Sequence, residues 1–304
     1  MLAAPLVWRS RAAFAQSRFI TLVVPYVPGG AVDTFARLFA TAYGEQVGLP
    51  VVVENHGGAS GAIGLARVAN APPDGNTLLY TYGNLALAML HTVKDSPNVL
   101  TDLTPVARSV VTQGVLATGA SSRLRSFQDL LDEAARSPGK ITFADYGELA
   151  LSRLMYAAKI DLMRVPYKGG APGLVDTLSG QVDLYAGSAS LLVPQVLSGK
   201  LRALAITSPK RMPQLPGVPT VSEVLPNYTA LNYQGVFAPR NTAPEVLEVL
   251  QRQALAAIRQ PAFRSASEAH FANVEPMGAD EFRNFMMKDA VEIAEVMKVT
   301  ASPR

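Results

Sequence analysis

Short apolar runs alternate along this chain with stretches whose apolar residues recur every three or four positions. Residues 20–24 form the first run, and residues 34–47 follow it with the spacing of one buried helix face. Strands and helices that alternate in this way are typical of an α/β fold, with mostly parallel sheets flanked by helices. Further strands are predicted at 51–54, 77–81, 103–111, 115–118, 141–144, 182–186, 201–206 and 235–238. Further helices are predicted at 127–136, 149–158, 244–259 and 279–299.

The turn between the first strand and the first helix has the composition of an anion-binding loop. It reads Val24-Pro25-Tyr26-Val27-Pro28-Gly29-Gly30-Ala31-Val32-Asp33. The two glycines carry no Cβ, so a ligand can come close to the amides of Gly30, Ala31 and Val32. These amides lie at the positive end of the helix dipole, where an anionic group is stabilised. We therefore predict that this turn holds an anion.

The same turn occurs a second time, as Val165-Pro166-Tyr167-Lys168-Gly169-Gly170-Ala171-Pro172. It again follows a predicted strand and opens a predicted helix, with Pro172 suited to the first helical turn. Either copy alone is compatible with ordinary turn formation. The repeat in matching context favours two similar domains, whose glycine turns hold a small anion from both sides of a cleft.

The chain is predicted to cross between these domains twice, near 118–125 and near 228–235. On this division residues 18–118 and 233–304 form domain 1, and residues 119–232 form domain 2. Two crossings make a hinge, and hinge closure around a ligand is a common way for such clefts to bind.

Residues 1–17 are interpreted as the remnant of an export signal. Ala13-Phe14-Ala15 fits the small-x-small rule for signal-peptide cleavage, although the apolar part is short and no basic region precedes it. We therefore expect a periplasmic protein whose signal peptide begins upstream of Met1. A frayed cytoplasmic N-terminus is the alternative. No later stretch reaches the ~18 uninterrupted apolar residues of a membrane span.

Composition narrows the classes of function. With 304 residues, of which 49% are hydrophobic and 17% charged, the chain can bury sizeable cores. It has no cysteine, which excludes disulfides, thiolate metal sites and cysteine nucleophiles. The net charge is only +3 and no basic run occurs, which argues against nucleic acid as a partner. The sequence contains no nucleotide-binding motif, and its three histidines lack ligands at metal-binding spacing.

Enzymatic interpretations fit the sequence poorly. Ser60 lies in a segment that misses the nucleophile-elbow pattern at its last position. Ser137 and Lys140 match a Ser-x-x-Lys motif in letters, but the proline and glycine between them break the helical turn that this motif needs. Asp33 is a candidate general base, although helix capping or loop ordering suits it better. We therefore expect a protein without catalytic residues.

A series of further motifs lies in order along residues 18–300, and with them the sequence resembles the Bug/TctC-type extracytoplasmic solute receptors of tripartite tricarboxylate transporters. The matching residues are Val24-Pro25-Tyr26 with Pro28-Gly29-Gly30 and Asp33; Val52-Val53-Glu54-Asn55 with Gly58, Gly61 and Gly64; Pro73-Asp74-Gly75 with Thr77-Leu78-Leu79; Thr104-Pro105-Val106-Ala107; Pro138-Gly139-Lys140; Val165-Pro166-Tyr167-Lys168-Gly169; Gly180-Gln181-Val182-Asp183; Gly199-Lys200-Leu201-Arg202-Ala203-Leu204-Ala205; and Leu215-Pro216 with Val218-Pro219-Thr220.

The resemblance implies a two-lobed, type II periplasmic-binding-protein fold that closes around a small carboxylate, which loop amides and ordered waters hold. It also implies delivery of that carboxylate to membrane transporter subunits on other chains. A sensor that feeds a signalling partner is the alternative, and a hydrolase or isomerase is a distant third. We expect a monomer with no cofactor and no metal. The predicted ligand-binding residues are Tyr26, Pro28, Gly29, Gly30, Ala31, Val32, Asp33, Asn84, Tyr146, Gly147, Tyr167, Lys168, Gly169, Gly170, Ala171, Ala186, Gly187 and Ser188.

One predicted cleft loop departs from the family's pattern. After the strand at 141–144 the family carries a small, Ser- or Gly-rich loop that ends in Thr or Ser and then His. This chain instead has Tyr146 and Glu148 there. Three interpretations of Glu148 remain open: it disfavours a second carboxylate on the ligand, it pairs with an amine of the ligand, or it points to solvent. Four tyrosines lie at the predicted cleft loops: Tyr26, Tyr82, Tyr146 and Tyr167. Either they indicate a flat or aromatic ligand, or their rings only pack those loops.

Overall fold

The computed structural model describes residues 19–146, 149–167, 170–226, 228 and 230–300, so the predicted export signal at 1–17 lies outside it. Its strands are β1 (Ile20–Val24), β2 (Val51–Asn55), β3 (Thr77–Tyr82), β4 (Leu103–Thr112), β5 (Gly114–Gly119), β6 (Thr142–Asp145), β7 (Met163–Pro166), β8 (Tyr185–Ser188), β9 (Leu201–Ile206), β10 (Asn232–Pro239) and β11 (Ala272–Gly278). Its helices are α1 (Ala31–Val47), α2 (Ala62–Ala69), α3 (Gly83–Met89), α4 (Phe127–Arg136), α5 (Ala150–Ala158), α6 (Gly170–Ser179), α7 (Ala189–Leu197), α8 (Pro244–Ile258), α9 (Pro261–Ala269) and α10 (Ala279–Thr300).

The first lobe is built on a six-stranded sheet in the order β11-β4-β10-β3-β1-β2. Only β1 pairs in parallel, with β2 and with β3, whereas the β3–β10, β10–β4 and β4–β11 pairs are antiparallel. The prediction of a mostly parallel sheet is therefore wrong for this lobe. The reason is topological: β4 runs out of the sheet toward the second lobe and its neighbour β10 returns from it, so the two must run in opposite directions.

The second lobe contains a three-stranded sheet, β8-β5-β9, and a β6-β7 pair. Strand β5 is antiparallel to both of its neighbours, and only β6 and β7 run in parallel. The mostly parallel prediction is wrong here too, because β5 begins at the hinge while β8 and β9 end there. Strand β5 also shows that the chain leaves the first sheet at Gln113, earlier than the predicted crossing at 118–125.

Helices cover both faces of the first sheet. One apolar cluster joins Leu22 and Tyr80 to Phe35 and Phe39 of α1 and to residues of α8 and α9. A second cluster, on the opposite face, joins Leu79 to residues of α2, α3 and α10. The strands β1 and β3 are thus buried on both faces, which is why they read as continuous apolar runs.

Two elements of the first lobe, α9 and β11, were not predicted from the sequence. Helix α9 is short and rich in serine and alanine, and Phe263 is its one large apolar side chain, so few residues mark its buried face in the sequence. Strand β11 contains Pro276, which is tolerated because β11 is an edge strand that pairs only with β4.

A largely buried ion pair between Arg153 and Asp289, extended by the exposed Glu292, joins helices of the two lobes. Arg153 on α5 donates to Asp289 and Glu292 on α10, and Tyr233 donates to Asp289 at 2.8 Å. Burial acts to lower the pKa of Arg153, but the two carboxylates outweigh it and raise that pKa. Leu149, just before α5, packs into the apolar cluster of α10 beside these charges. The lobes are therefore joined by side-chain contacts as well as by the two chain crossings.

We predict that Arg153→Met lowers the free energy of unfolding by about 3–5 kcal/mol, because it leaves the buried Asp289 carboxylate without its cation. The double variant Arg153→Met, Asp289→Met should recover much of this loss, since no unpaired buried charge remains. Arg211→Met, which breaks an exposed pair with Glu223, is the control and should cost much less. Urea unfolding measures all three. Equal losses for Arg153→Met and Arg211→Met would contradict the interpretation.

Candidate ligand-binding site

The first glycine turn connects β1 to α1 and leaves the start of that helix accessible. Gly30 is the N-cap residue, with extended backbone angles, and no side chain caps the helix from that position. Gly29 has a φ of +85°, a left-handed conformation that favours glycine. Both glycines are exposed, and a Cβ built on Gly30 would meet only Val27 O, at 3.9 Å. The turn thus offers backbone without side-chain cover at a helix N-terminus.

Asp33 holds this turn in place from within. Its Oδ2 accepts hydrogen bonds from the Gly29 amide at 2.9 Å and from Arg37 Nε at 3.0 Å, and its Oδ1 accepts one from Asn55 Nδ2 at 2.9 Å. Asn55 also donates to Tyr26 O. Burial would raise the pKa of Asp33, but the bonds from Arg37, Gly29 and Asn55 outweigh it and lower that pKa. Asp33 is therefore a loop-ordering carboxylate, the role that the sequence favoured over a general base.

We predict that Asp33→Asn lowers the free energy of unfolding by about 1–3 kcal/mol at pH 7, because two charge-assisted hydrogen bonds and the Gly29 bond weaken. The folded pKa of Asp33 lies below its ordinary value of 3.8, so its stabilisation is complete above that pH. The difference between wild type and variant should shrink as the pH falls below 3.8. Urea unfolding across pH measures it, with the exposed Asp132→Asn as control. A difference that stays constant at low pH would argue against this role.

Tyr26 lies beside the glycine-rich loop that follows β2. A Cβ on Gly61 would stand 3.6 Å from the Tyr26 hydroxyl, an ordinary van der Waals distance, so the ring lies close against this loop. Burial raises the pKa of Tyr26 to about 12. At neutral pH this residue is a phenol that can donate a hydrogen bond.

Asn84 follows β3 and is buried against the hinge. It is 2% exposed, and its Nδ2 donates to Asn232 Oδ1 at 2.7 Å. Asn232 is the first residue of β10, where the chain returns from the second lobe. Asn84 therefore lies at the end of the first sheet that faces the hinge.

The second glycine turn is only partly described, since Lys168 and Gly169 lie outside the described residues, as do Gly147 and Glu148 of the loop that follows β6. On its near side the Tyr167 amide donates to Asp145 O at 2.8 Å. The Tyr167 hydroxyl donates to Asp176 Oδ2 at 2.6 Å, and this bond raises the pKa of Tyr167 to about 12. Tyr167 therefore links the loop after β6 to helix α6 through these two hydrogen bonds.

Two stacked tyrosines cover the end of β8. The rings of Tyr146 and Tyr185 lie 5.3 Å apart, and the Tyr146 hydroxyl donates to Ala186 O at 2.6 Å. Tyr185 donates to Gly170 O at 3.0 Å, and a Cβ on Gly187 would stand 2.5 Å from the Tyr185 ring. These rings pack the loops of the second lobe, and an aromatic ligand stays a prediction.

Both sets of predicted residues lie at the hinge ends of their lobes. In the first lobe the glycine turn follows β1, and Asn84 follows the neighbouring strand β3. In the second lobe Ser188 ends β8 directly opposite Gly114, the first residue of β5, and the Ala189 amide donates to Gln113 O at 2.8 Å. The chain crossing at residue 113 therefore lies beside the predicted residues of the second lobe. The return at residue 232 lies beside those of the first lobe.

Some residues of the site were missed in the sequence. Arg37 and Asn55 hold Asp33, and the signals that could have found them are the i, i+4 spacing of Asp33 and Arg37 and an asparagine at a strand end. A surface depression of about 460 Å³ on the outer side of α1 contains none of the predicted ligand-binding residues. Among the described residues no cluster of side chains suits a metal ion, and no helix has the length and apolarity to cross a bilayer.

Comparison with known proteins decides the family. The family model described as the tripartite tricarboxylate transporter family receptor, TctC, matches residues 35–298. This chain belongs to that family. Its role is therefore that of a solute-binding protein, and the resemblance noted in the sequence is confirmed.

Relatives of this TctC-family receptor cover most of its length. A protein of Pseudomonas sp. strain P51, called UPF0065 protein in the tcbD-tcbE intergenic region, is 38% identical over 81% of this chain and 75% of its own. Protein BugT of Bordetella pertussis is 33% identical over 94% of this chain and 90% of its own.

Solved structures confirm the two-lobed fold. The periplasmic binding protein BugD is 29% identical, with a TM-score of 0.82 over 92% of this chain and 97% of its own. A protein of R. palustris solved with adipate is 27% identical, with a TM-score of 0.84 over 93% and 97% of the two chains. MatC from Rhodopseudomonas palustris, solved with bound malate, is 27% identical, with a TM-score of 0.80 over 92% and 99%.

Proposed function

We propose that this protein is a periplasmic receptor that binds a small carboxylate between its lobes and delivers it to a tripartite tricarboxylate-type membrane transporter. The observation that carries the proposal is the start of α1, where exposed glycines leave the first helical amides without a side-chain cap. Helix N-termini of this kind bind anions through their amides and through the helix dipole. Asp33 fixes the turn without covering it, so little ordering is needed when an acid binds.

The second lobe contributes two further helix starts. Helix α7 begins at Ala189 with no side-chain cap from Ser188, and α6 begins at Gly170 in the second glycine turn. Hydrogen bonds to a charged group contribute about 1.5–3 kcal/mol each. Four such bonds and two helix ends, less the cost of association, are compatible with micromolar affinity, which corresponds to about −8 kcal/mol. No cationic side chain is needed for such a site.

The relatives support the class of ligand. Two of the similar structures were solved with adipate and with malate, which are both dicarboxylates. The family is one of transporter receptors, and BugD is a periplasmic binding protein. From these relatives we infer that this chain binds a carboxylate, lies in the periplasm and has a transporter partner. We assign it no catalytic activity.

Identification of the ligand tests the proposal. Small molecules released from freshly purified protein are to be identified by mass spectrometry. Thermal unfolding is then compared across mono-, di- and tricarboxylic acids, with the matched amides as uncharged controls. We expect at least one acid to raise the Tm without being consumed, while its amide does not. If no carboxylate stabilises the protein, or if an acid is turned over, the proposal fails.

We predict that Gly30→Asp weakens binding of the most stabilising acid by roughly 100-fold, because a second negative charge then stands at the helix start. The fold should be retained, because Gly30 has extended angles and open space, and because aspartate is a favourable N-cap. Isothermal titration measures the change.

Two further variants separate charge from shape in this experiment. Gly30→Asn adds a side chain of similar size without the charge and should bind more tightly than Gly30→Asp. Gly217→Asp adds the same charge at an exposed glycine with open space elsewhere in the second lobe, and should bind like wild type. Equal affinities for Gly30→Asp and Gly217→Asp would place the acid somewhere other than this turn.

A further inference from the structure

Two buried amide side chains at the hinge end of the first sheet have polar atoms without hydrogen-bond partners. Gln234 is fully buried, and neither its Oε1 nor its Nε2 has a partner among the described residues. Asn84 uses its Nδ2 to bond Asn232, but its Oδ1 is also buried without a partner. Leaving a buried polar atom unpaired destabilises the fold, so such atoms normally face a ligand or an ordered water.

These residues lie near one another at one end of the first sheet, and we call Asn84, Asn232 and Gln234 the amide cluster. Asn232 and Gln234 lie two residues apart on β10, so their side chains point to the same face of the sheet. Asn84 reaches Asn232 from the start of α3. Gln234 pairs with Tyr82, the last residue of β3. The amide cluster therefore lies at the carboxyl end of β3, at the edge where the first glycine turn follows the neighbouring strand β1.

The backbone that carries Gln234 is held firmly. Strand β10 is central and pairs with β3 on one side and β4 on the other. Ser109 Oγ, which also bonds the Tyr80 hydroxyl at 2.7 Å, donates to Gln234 O at 3.0 Å. The remaining residues of this face belong to an apolar core, including Tyr80 and Val236. An amide fixed within such a face is preorganised for one small polar group.

The atoms left unpaired define the chemistry of that group. Gln234 offers a donor and an acceptor, and Asn84 adds an acceptor. A carboxylate only accepts and an ammonium only donates, so either would leave part of the amide cluster unpaired. A hydroxyl group both donates and accepts. We propose that the amide cluster binds a hydroxyl group of the carboxylate ligand, so that this receptor selects hydroxy acids over the matching unsubstituted acids. The inference rests on the proposed function and deepens it.

The test compares acids that differ by one hydroxyl group. The pairs are propionate and lactate, succinate and malate, and glutarate and 2-hydroxyglutarate, each titrated calorimetrically into wild type and into Gln234→Leu. In wild type the hydroxy acid of at least one pair should bind at least about tenfold more tightly than its unsubstituted partner. The reason is that an acid without the hydroxyl leaves the buried amides of the site unpaired. Gln234→Leu should remove most of this preference, because it weakens binding of the hydroxy acid and relieves the unpaired amide that the unsubstituted acid leaves behind.

Ser267→Ala is the matched control. Ser267 is also fully buried, and its Oγ also has no partner among the described residues, but it lies on α9. Removing the Ser267 hydroxyl should leave the ratio of the two affinities unchanged in every pair of acids. Thermal unfolding of both variants checks the fold, and Gln234→Leu should be at least as stable as wild type because an unpaired buried amide is replaced by an apolar group of similar size.

The outcomes separate this inference from the proposed function. If wild type binds acids but shows no preference in any pair, the hydroxyl site is overturned while carboxylate binding stands. If Gln234→Leu changes stability but leaves the preference intact, the amide cluster holds only a structural water and the inference is equally overturned. If no acid in the wider panel binds wild type, the proposed function itself fails.

Discussion

The pairing of the two connecting strands is the constraint on which the rest of the structure depends. The last residue of β4, Thr112, lies directly opposite the first residue of β10, Asn232, and Thr112 Oγ1 donates to Asn232 O at 3.1 Å. The chain therefore leaves and re-enters the first lobe at the same point. Because β3 pairs with β10 and β8 ends beside the start of β5, loops of both lobes come to this point as well. The proposed site between the lobes agrees with this topology, since ligands of other α/β folds bind at switch points of the sheet.

Side chains order the predicted binding loops of both lobes, and in the first lobe they leave the backbone of the glycine turn exposed. In the first lobe Asp33 holds Gly29 from behind, and in the second the hydroxyls of Tyr146 and Tyr167 bond Ala186 and Asp176. A turn that is already ordered loses little conformational entropy when a ligand binds. Under the proposed function, oriented amides supply the local positive potential with which a nearly neutral protein selects an anion.

The sequence predicted most of the elements and the two glycine turns because these depend on local patterns. The spacing of apolar residues marked α1 and the buried strands, and the repeated Val-Pro-Tyr and Gly-Gly segments marked the turns. Strand direction could not be predicted in this way, since it depends on which strands carry the chain between lobes. The hydrogen bond from Asn84 to Asn232 and the burial of Gln234 also escaped prediction, because they join residues far apart in sequence. Strand β11 was missed because its proline is acceptable only at an edge that the sequence does not reveal.

The central claim is that backbone amides of both lobes hold one acid. The most direct measurement is the change in amide chemical shift and hydrogen exchange across the whole protein when a stabilising carboxylate is added. The account predicts large shifts and slower exchange at Gly30, Ala31 and Val32 together with changes at the start of α6 or α7. Changes confined to one lobe, or located away from both helix starts, would contradict it.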